Sequence, residues 1–307
     1  MRILILGAGA VGGYFGGRLA EAGADATFFV RPARARLLAS RGLRIDSPAG
    51  SLVRDVKSIS DPGALAPFDL VLLTCKAYDL DASLNDIAHA VGPCTTILPL
   101  LNGLAHMEKI AARFPQARLW GGVARISAAL DDDGAIRHAD SFARIDFGAR
   151  DGRADALADQ LAELYAKTPV IAAHNPNILR EMWDKLVFLA TLAGMNTLMR
   201  ALIADIMATP AGERLINQML SECASVARAE GFDFDEARVA QHGDSLTKRA
   251  ANMKSSMLHD IEHGAPTEGE HILGDLHARA RQHGVSAPLL EIALTHVRAY
   301  EVRRARR

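Results

Sequence analysis

The segment from Arg2 to Arg31 constrains the fold of this chain more than any other stretch. Arg2–Leu6 is a short apolar run, long enough for one buried strand, and Gly7-Ala8-Gly9-Ala10-Val11-Gly12 follows it at once. Gly13–Ala22 reads as a helix, with Val11, Phe15, Leu19 and Ala22 near one face. Ala26–Val30 reads as a second strand, closed by Arg31-Pro32. Strand, G-x-G-x-x-G turn, helix and strand within about 30 residues form the dinucleotide-binding fingerprint. Gly7 would allow the tight turn, and Gly9 would let the backbone approach a pyrophosphate seated on the unpaired N–H groups of the helix start. Gly12 would let helix and strand pack closely.

The end of the second strand bears on which dinucleotide is expected. NAD-specific versions place a carboxylate there to hold the ribose 2′-hydroxyl. Here the position holds Arg31, 19 residues after Gly12. A carboxylate repels a 2′-phosphate, whereas a guanidinium binds it through two parallel hydrogen bonds. The expectation is NADP(H), with Arg34 and Arg36 nearby as residues that could do the same work.

At 307 residues the chain exceeds the size at which one core stops growing, so two domains are expected. A formal net charge of −1 argues against a nucleic-acid or membrane-surface role, and the basic end Arg303-Arg304-Ala305-Arg306-Arg307 reads as a solvated helix terminus. Cys75, Cys94 and Cys223 are scattered, odd in number and not in metal-ligand spacing, which fits a reducing cytoplasm and no metal. The initial apolar run lacks a cleavage region, and Leu186–Met199 is too short to span a bilayer and reads as a buried helix.

Along the chain, Leu43–Asp46 and Leu52–Val56 read as a hairpin around Ser47-Pro48-Ala49-Gly50. Leu70–Cys75 is a continuous apolar run of parallel-strand type, with Lys76 at its carboxyl end, where open α/β sheets bind ligands. An exposed lysine with no ligand is the alternative. Asp81–Val91 reads as a helix, Thr95–Leu100 as a strand, and Ala105–Phe114 as a helix. Asn102-Gly103 lies between those last two, either as a site residue or as an ordinary turn dipeptide. Arg125–Leu130 and Ala143–Phe147, flanking Asp131-Asp132-Asp133-Gly134, read as an antiparallel extension that follows a strand at Leu119–Val123. Asp155–Ala166 is a predicted helix and Pro169–Ala172 a last strand. Beyond Ala173-His174-Asn175-Pro176 the pattern turns almost wholly helical. The expected architecture is therefore α/β: a Rossmann-type, doubly wound N-terminal domain over residues 1–173, then an all-helical domain over 174–307.

In the helical half, Lys185 heads a stripe with Leu189, Leu192 and Asn196 on one face of a helix over Ile178–Ala201. Such a lysine near the domain boundary would point toward a cleft between domains, either as a proton donor or as a snorkelling surface lysine. Further on, Thr267 and Glu270 have capping-box spacing after Gly264 and Pro266, with Glu268 in the first turn of the next helix.

Five short motifs lift these residues above their local readings. They are Gly7–Gly12, Cys75-Lys76-Ala77-Tyr78-Asp79, Leu101-Asn102-Gly103, Trp183-Asp184-Lys185-Leu186, and Ser255-Ser256-Met257-Leu258 with Asp260-Ile261-Glu262 and Pro266-Thr267-Glu268. In this order and spacing the chain resembles the ketopantoate reductase family, the 2-dehydropantoate 2-reductases of pantothenate synthesis. The resemblance implies an NADPH-dependent reduction of a 2-oxo acid, with Lys185 as general acid. It places Asn102 between nicotinamide and substrate, gives Ser256 the substrate carboxylate, and gives Glu268 a substrate hydroxyl near the nicotinamide. It assigns Arg31 and Lys76 to the 2′-phosphate side of the cofactor, and has Ala129 touch the cofactor through its backbone.

Two departures from the family pattern bear on the substrate. Leu189 and Ala193 stand where better-studied members carry substrate-binding asparagines, and Thr267-Glu268-Gly269-Glu270 replaces the usual T-E-I-D or T-E-I-E. Fewer amides offer fewer hydrogen bonds to a hydroxy-oxo acid. A reductase of another small oxo acid or aldehyde, of 3-hydroxyacid dehydrogenase type, is thus a second expectation. A non-catalytic NADP(H)-binding regulator is a third, although such a sensor would not need Lys185, Ser256 and Glu268. The apolar helical half also fits a homodimer.

Overall fold

The computed structural model describes residues 1–248 and 252–306; Arg307 of the basic end lies outside them. The chain forms two compact units, one of residues 1–101 and 106–181, the other of residues 102–105 and 182–307. The division falls within a long helix, later than the 173/174 boundary expected from the loss of strand pattern. A short segment around Asn102 also groups with the helical unit.

The first unit is built on ten strands: β1 Arg2–Leu6, β2 Asp25–Phe29, β3 Leu43–Asp46, β4 Leu52–Arg54, β5 Lys57–Ile59, β6 Leu70–Leu73, β7 Thr96–Pro99, β8 Arg118–Leu130, β9 Ile136–Ala149 and β10 Ile171–His174. Its helices are α1 Ala10–Glu21, α2 Pro32–Arg41, α3 Leu80–Asp86, α4 His106–Arg113 and α5 Ala156–Tyr165. The sheet order is β4-β3-β9-β8-β7-β6-β1-β2-β5, with β10 added beside β9. Strands β7, β6, β1, β2 and β5 are mutually parallel.

Strand β1 shows why this sheet is wound on both faces. Ile3 and Ile5 join a core with Phe15 of α1 and Leu161 of α5. Leu4 and Leu6 join a separate core with Leu84 of α3 and Ile110 of α4. A strand whose side chains alternate between faces and are apolar throughout Ile3–Leu6 must be covered twice, and parallel crossovers put helices on both sides. The order reverses at β1, which lies between β2 and β6, so the carboxyl ends of β1 and β6 flank the switch point where such sheets bind ligands.

Several elements differ in extent from their sequence pattern. The expected helix over Asp81–Val91 is α3 followed by a 3₁₀ turn at Ala88–Ala90. The strand at Leu119–Val123 and the extension at Arg125–Leu130 are one 13-residue strand, β8, antiparallel to β9 with an irregularity between Ile126 and Ala128. The three-residue β5, parallel to β2, has no alternating pattern of its own and was not expected. The hairpin β3–β4 formed as expected, with Leu43 opposite Arg54.

The second unit is helical: residues 182–199 of α6 (Ile178–Met199), α7 Ile203–Met207, α8 Gly212–Ala229, α9 Glu236–Leu246, α10 Ser256–Glu262, a π-helical turn at Glu270–Gly274, α11 Asp275–Gln282 and α12 Pro288–Arg304. Leu186, Val187, Ala190, Ala193 and Met195 of α6 are buried, as its apolar run implied. Buried Glu222 of α8 accepts from the backbone N–H groups of Leu289 (3.0 Å) and Leu290 (2.9 Å), satisfying the unpaired donors at the start of α12. Among the described residues no helix is long and apolar enough to cross a membrane.

Candidate active site

In the first unit the glycine turn has the geometry its residues require. Gly7 follows β1 with φ +97°, a conformation that L side chains rarely adopt, and its N–H donates to Phe29 O at 2.9 Å. A Cβ on Gly12 would overlap Gly7 O and Thr74 Oγ1, so this position must be glycine for α1 to start against the turn. A Cβ on Gly9, by contrast, would meet nothing within 4 Å. The turn is thus closed on its protein side and open at Gly9, which suits a dinucleotide pyrophosphate lying against backbone N–H groups. Ala10 and Val11 open α1 itself. Thr74, at the end of β6, donates to Leu6 O at 2.6 Å and fills the space beside Gly7 and Gly12. A lone threonine after an apolar strand carries no sequence signal for this role.

Arg31 is 81% exposed and pairs with Asp79 at 2.9 Å. The C-K-A-Y-D motif therefore brings a carboxylate to Arg31 as well as Lys76, which is exposed and precedes a 3₁₀ turn at Ala77–Asp79. Arg34 is differently placed: its Nε donates to Ala8 O at 3.1 Å and its Nη1 to Gly134 O at 2.9 Å. Ala129 lies in β8 opposite Arg137, with its side chain exposed.

In the second unit, residues distant in sequence converge. Lys185 Nζ donates to Asn102 Oδ1 at 2.9 Å, and Asn102 Nδ2 donates to Glu268 Oε2 at 3.4 Å. One amide thus links the lysine to a carboxylate that is only 6% exposed. The local causes are legible. Asp184, next to Lys185, turns to α9, where it accepts from Arg238 Nε at 2.7 Å and pairs with His242 Nε2 at 3.0 Å. That anchors the W-D-K-L stretch while Lys185 reaches Asn102. Gly103 has φ +83°, and a Cβ there would stand 2.9 Å from both the carbonyl oxygen and Cδ2 of His271, so the Asn102-Gly103 turn packs directly on the π-helical turn.

The expected capping box does not form. Thr267 gives its N–H and its hydroxyl to Glu301 Oε1 of α12, both at 2.7 Å, and Glu270 makes a two-pronged pair with Arg298 at 2.6 and 2.9 Å. Partners on α12 take the place of the reciprocal Thr267–Glu270 box, although Thr267 Oγ1 still accepts a long bond from Gly269 N–H at 3.4 Å, and a π-helical turn, a form frequent at functional sites, begins two residues after Glu268. Gly269, which departs from the family pattern, is explained here: a Cβ would overlap Val297 Cγ1 of α12.

Ser256 is the exposed first residue of α10 and is not part of the Lys185–Asn102–Glu268 chain. The neighbouring Ser255 is tied to α6: its N–H donates at 2.8 Å to Oδ1 of the fully buried Asn196, whose Nδ2 donates to Ala201 O at 2.8 Å. Of the two positions that replace family asparagines, Leu189 is half-buried and Ala193 is buried. The sequence pattern alone did not mark Thr74 or His271 as parts of these sites, and placed Asn196 only on the Lys185 stripe, without its bond to Ser255. Among the described residues no group of three or more His, Cys, Asp or Glu could hold a metal ion.

Comparison with known proteins places both halves of the chain. Residues 3–152 match the family model "Ketopantoate reductase PanE/ApbA", and residues 177–301 match its C-terminal companion, "Ketopantoate reductase PanE/ApbA C terminal". The chain is 36% identical over 301 residues to an uncharacterized oxidoreductase, YkpB, of Bacillus subtilis, covering 98% of this chain and 99% of that protein. It is 28% identical over 304 residues to a 2-dehydropantoate 2-reductase of Halobacterium salinarum, covering 97% and 98%. Among solved structures, 2-dehydropantoate 2-reductase from Methylococcus capsulatus superposes with a TM-score of 0.88 at 29% identity, covering 99% of this chain and 98% of that one.

Proposed function

The chain belongs to the ketopantoate reductase family, and from that premise we propose that it is an NADPH-dependent reductase of a 2-oxo acid, with 2-dehydropantoate (ketopantoate) as the foremost substrate and pantoate as product. The family relationship itself supports an oxidoreductase. The single observation that carries the finer reading is the hydrogen-bonded chain Lys185–Asn102–Glu268.

The reading assigns each residue a task. The nicotinamide, when bound, supplies the hydride. Gly7–Gly12 would hold the dinucleotide pyrophosphate, Arg31 and Lys76 its 2′-phosphate, and Ala129 a further cofactor contact through its backbone. As the keto carbon is reduced, negative charge grows on its oxygen; the Lys185 ammonium stabilises that charge and gives up a proton to it. Asn102 holds the ammonium through its carbonyl oxygen and so fixes its orientation. Glu268 fixes the Asn102 amide and would accept from a substrate hydroxyl, while the exposed Ser256 hydroxyl would donate to the substrate carboxylate.

Leu189 and Ala193 favour a second reading, in which the oxo acid or aldehyde lacks a hydroxyl. A site built to bind a hydroxyl rejects the analogue without it by a large factor, whereas an apolar site does not. The test is a screen that follows loss of nicotinamide absorbance with NADPH or NADH. Ketopantoate is compared with 3,3-dimethyl-2-oxobutanoate, which differs only in that hydroxyl. A ketopantoate kcat/KM at least tenfold above the analogue upholds the first reading, and the reverse order upholds the second. No turnover with any oxo acid or aldehyde, despite tight NADPH binding, would leave a cofactor-binding regulator. Association into a homodimer is part of the same reading, and light scattering measures it.

A further inference from the structure

We propose that Arg34 is a positioning residue for dinucleotide binding, one that holds the glycine turn in its receiving conformation rather than touching the 2′-phosphate. The proposal rests on the reading that Gly7–Gly12 bind a dinucleotide.

One guanidinium ties three segments of the first unit together. Arg34 sits in the first turn of α2, donates through Nε to Ala8 O inside the glycine turn, and donates through Nη1 to Gly134 O at the tip of the β8–β9 hairpin. The fork geometry of arginine makes this possible, because two N–H groups reach two carbonyls from one rigid plane. The hairpin tip is shaped to receive it. Gly134 has φ +82°, and a Cβ there would overlap Leu37 and stand 2.5 Å from Arg34 Nη1. The Asp131–Gly134 turn, a plain hairpin signal in the sequence, therefore also serves as a seat for this arginine.

The contact at Ala8 bears on ligand binding through peptide geometry. The described residues contain no cis peptide bond. In a trans peptide the C=O and the following N–H point in opposite directions. Turning the Ala8 carbonyl to Arg34 therefore turns the Gly9 N–H away from Arg34. Gly9 is also where the turn is open, and Gly9 O accepts from Gly13 N at 2.8 Å to begin α1. Arg34 thus sets the direction of the first N–H at the mouth of the turn.

The arrangement is not free. Arg34 Nη2 is buried with no hydrogen-bond partner among the described residues, and burial holds the guanidinium below its ordinary pKa. An unpaired buried N–H is uncommon, and here it accompanies the two carbonyl contacts that hold the guanidinium in place. A surface arginine recruited for the 2′-phosphate would keep that group in solvent, as Arg31 does.

The test is direct titration of NADPH and NADH, by calorimetry or tryptophan fluorescence, with wild type, Arg34→Lys and Arg34→Met. Lysine keeps the charge but cannot span both carbonyls. Both variants are expected to weaken both dinucleotides by about tenfold or more, the worth of one charge-assisted hydrogen bond. The NADPH-to-NADH ratio should stay within about twofold, and amide exchange at Gly7–Gly12 should speed up. Gly134→Ala, which displaces Nη1 while leaving the arginine in place, should weaken both in the same direction and keeps the idea testable if an Arg34 variant folds poorly. Unchanged affinities in folded variants, or a lower Tm without weaker binding, would overturn the proposal alone. So would loss of NADPH affinity without loss of NADH affinity, since Arg34 would then be a 2′-phosphate ligand. A wild-type protein that binds neither dinucleotide would overturn the reading of the turn as well.

Discussion

Lys185 Nζ lies 2.9 Å from Asn102 Oδ1 across 83 residues of sequence. A lysine left to solvent would sample many rotamers; this one is held by an amide that is itself held by Glu268. Such orientation is what a positioned proton donor needs. Lys185→Ala is therefore expected to lower the single-turnover rate of hydride transfer by about 10²–10⁴, with little change in dinucleotide affinity. Single turnover is the proper readout, because slow product release can hide a chemical defect in steady-state kcat. Asn102→Ala should lower the same rate by a smaller factor, since the ammonium stays but is no longer held. An unchanged rate in Lys185→Ala, with a verified substrate and saturating NADPH, would remove the lysine from the mechanism and pass the proton to Glu268.

Cofactor preference is expected to turn on Arg31. Charge-assisted hydrogen bonds are worth roughly 1.5–3 kcal/mol, so Arg31→Ala should reduce the preference for NADPH over NADH by about 10- to 150-fold. The pair with Asp79 adds a second expectation. Asp79→Asn removes a carboxylate that competes for the guanidinium and repels a 2′-phosphate, so it should raise the preference. The check is kcat/KM with each cofactor in the three proteins. A wild type that prefers NADH would refute the assignment.

Gly269 should be intolerant of a side chain. A Cβ there would overlap Val297 Cγ1, and overpacking a filled core costs typically about 1–3 kcal/mol. Gly269→Ala is expected to lower stability by that order. Val297→Ala should recover part of the loss in the double variant, and a denaturant double-mutant cycle reads the coupling. Additive effects of the two substitutions would mean that the contact does not limit packing.

What could be read from the sequence divides along physical lines. Strand β1, the glycine turn and α1 were legible because their signals are local: a short continuous apolar run, a G-x-G-x-x-G turn, and a helix immediately after. Lys185, Asn102 and Glu268 could be named one by one, and the family resemblance drew them together. The hydrogen bonds that join them span 83 and 166 residues, a relation that no local pattern encodes. The capping box failed for the same reason. Thr267 and Glu270 had the right spacing, but Glu301 and Arg298 on α12 offered better partners, and the local rule lost to packing. Arg34 looked interchangeable with Arg31 as a 2′-phosphate ligand; only the fold shows one exposed and the other tied to two backbone carbonyls.

Cys223 should be chemically silent in the folded protein and should make its stability fall at alkaline pH. Its side chain is fully buried in α8, and burial pushes the thiol up to about 12, with a hydrogen bond to the Thr191 side chain opposing the rise and the neighbouring Glu222 carboxylate adding to it. In the unfolded chain a thiol ionises near pH 8.5. Above that pH the unfolded state loses a proton that the folded state keeps. The stability tied to this group is therefore whole below about pH 8.5 and is lost as pH rises toward the folded value, by at most about 1.4 kcal/mol per pH unit. Cys223→Ala removes the group. Its unfolding free energy should start lower, from the lost packing, but fall less steeply between about pH 9 and 11 than that of wild type. A disulfide reagent at mildly alkaline pH supplies the second readout: the exposed Cys94 should react at once, and Cys223 only at the rate of unfolding. Equal pH slopes in the two proteins, or prompt labelling of Cys223 in the native state, would show that the thiol is neither as buried nor as hard to ionise as its surroundings require.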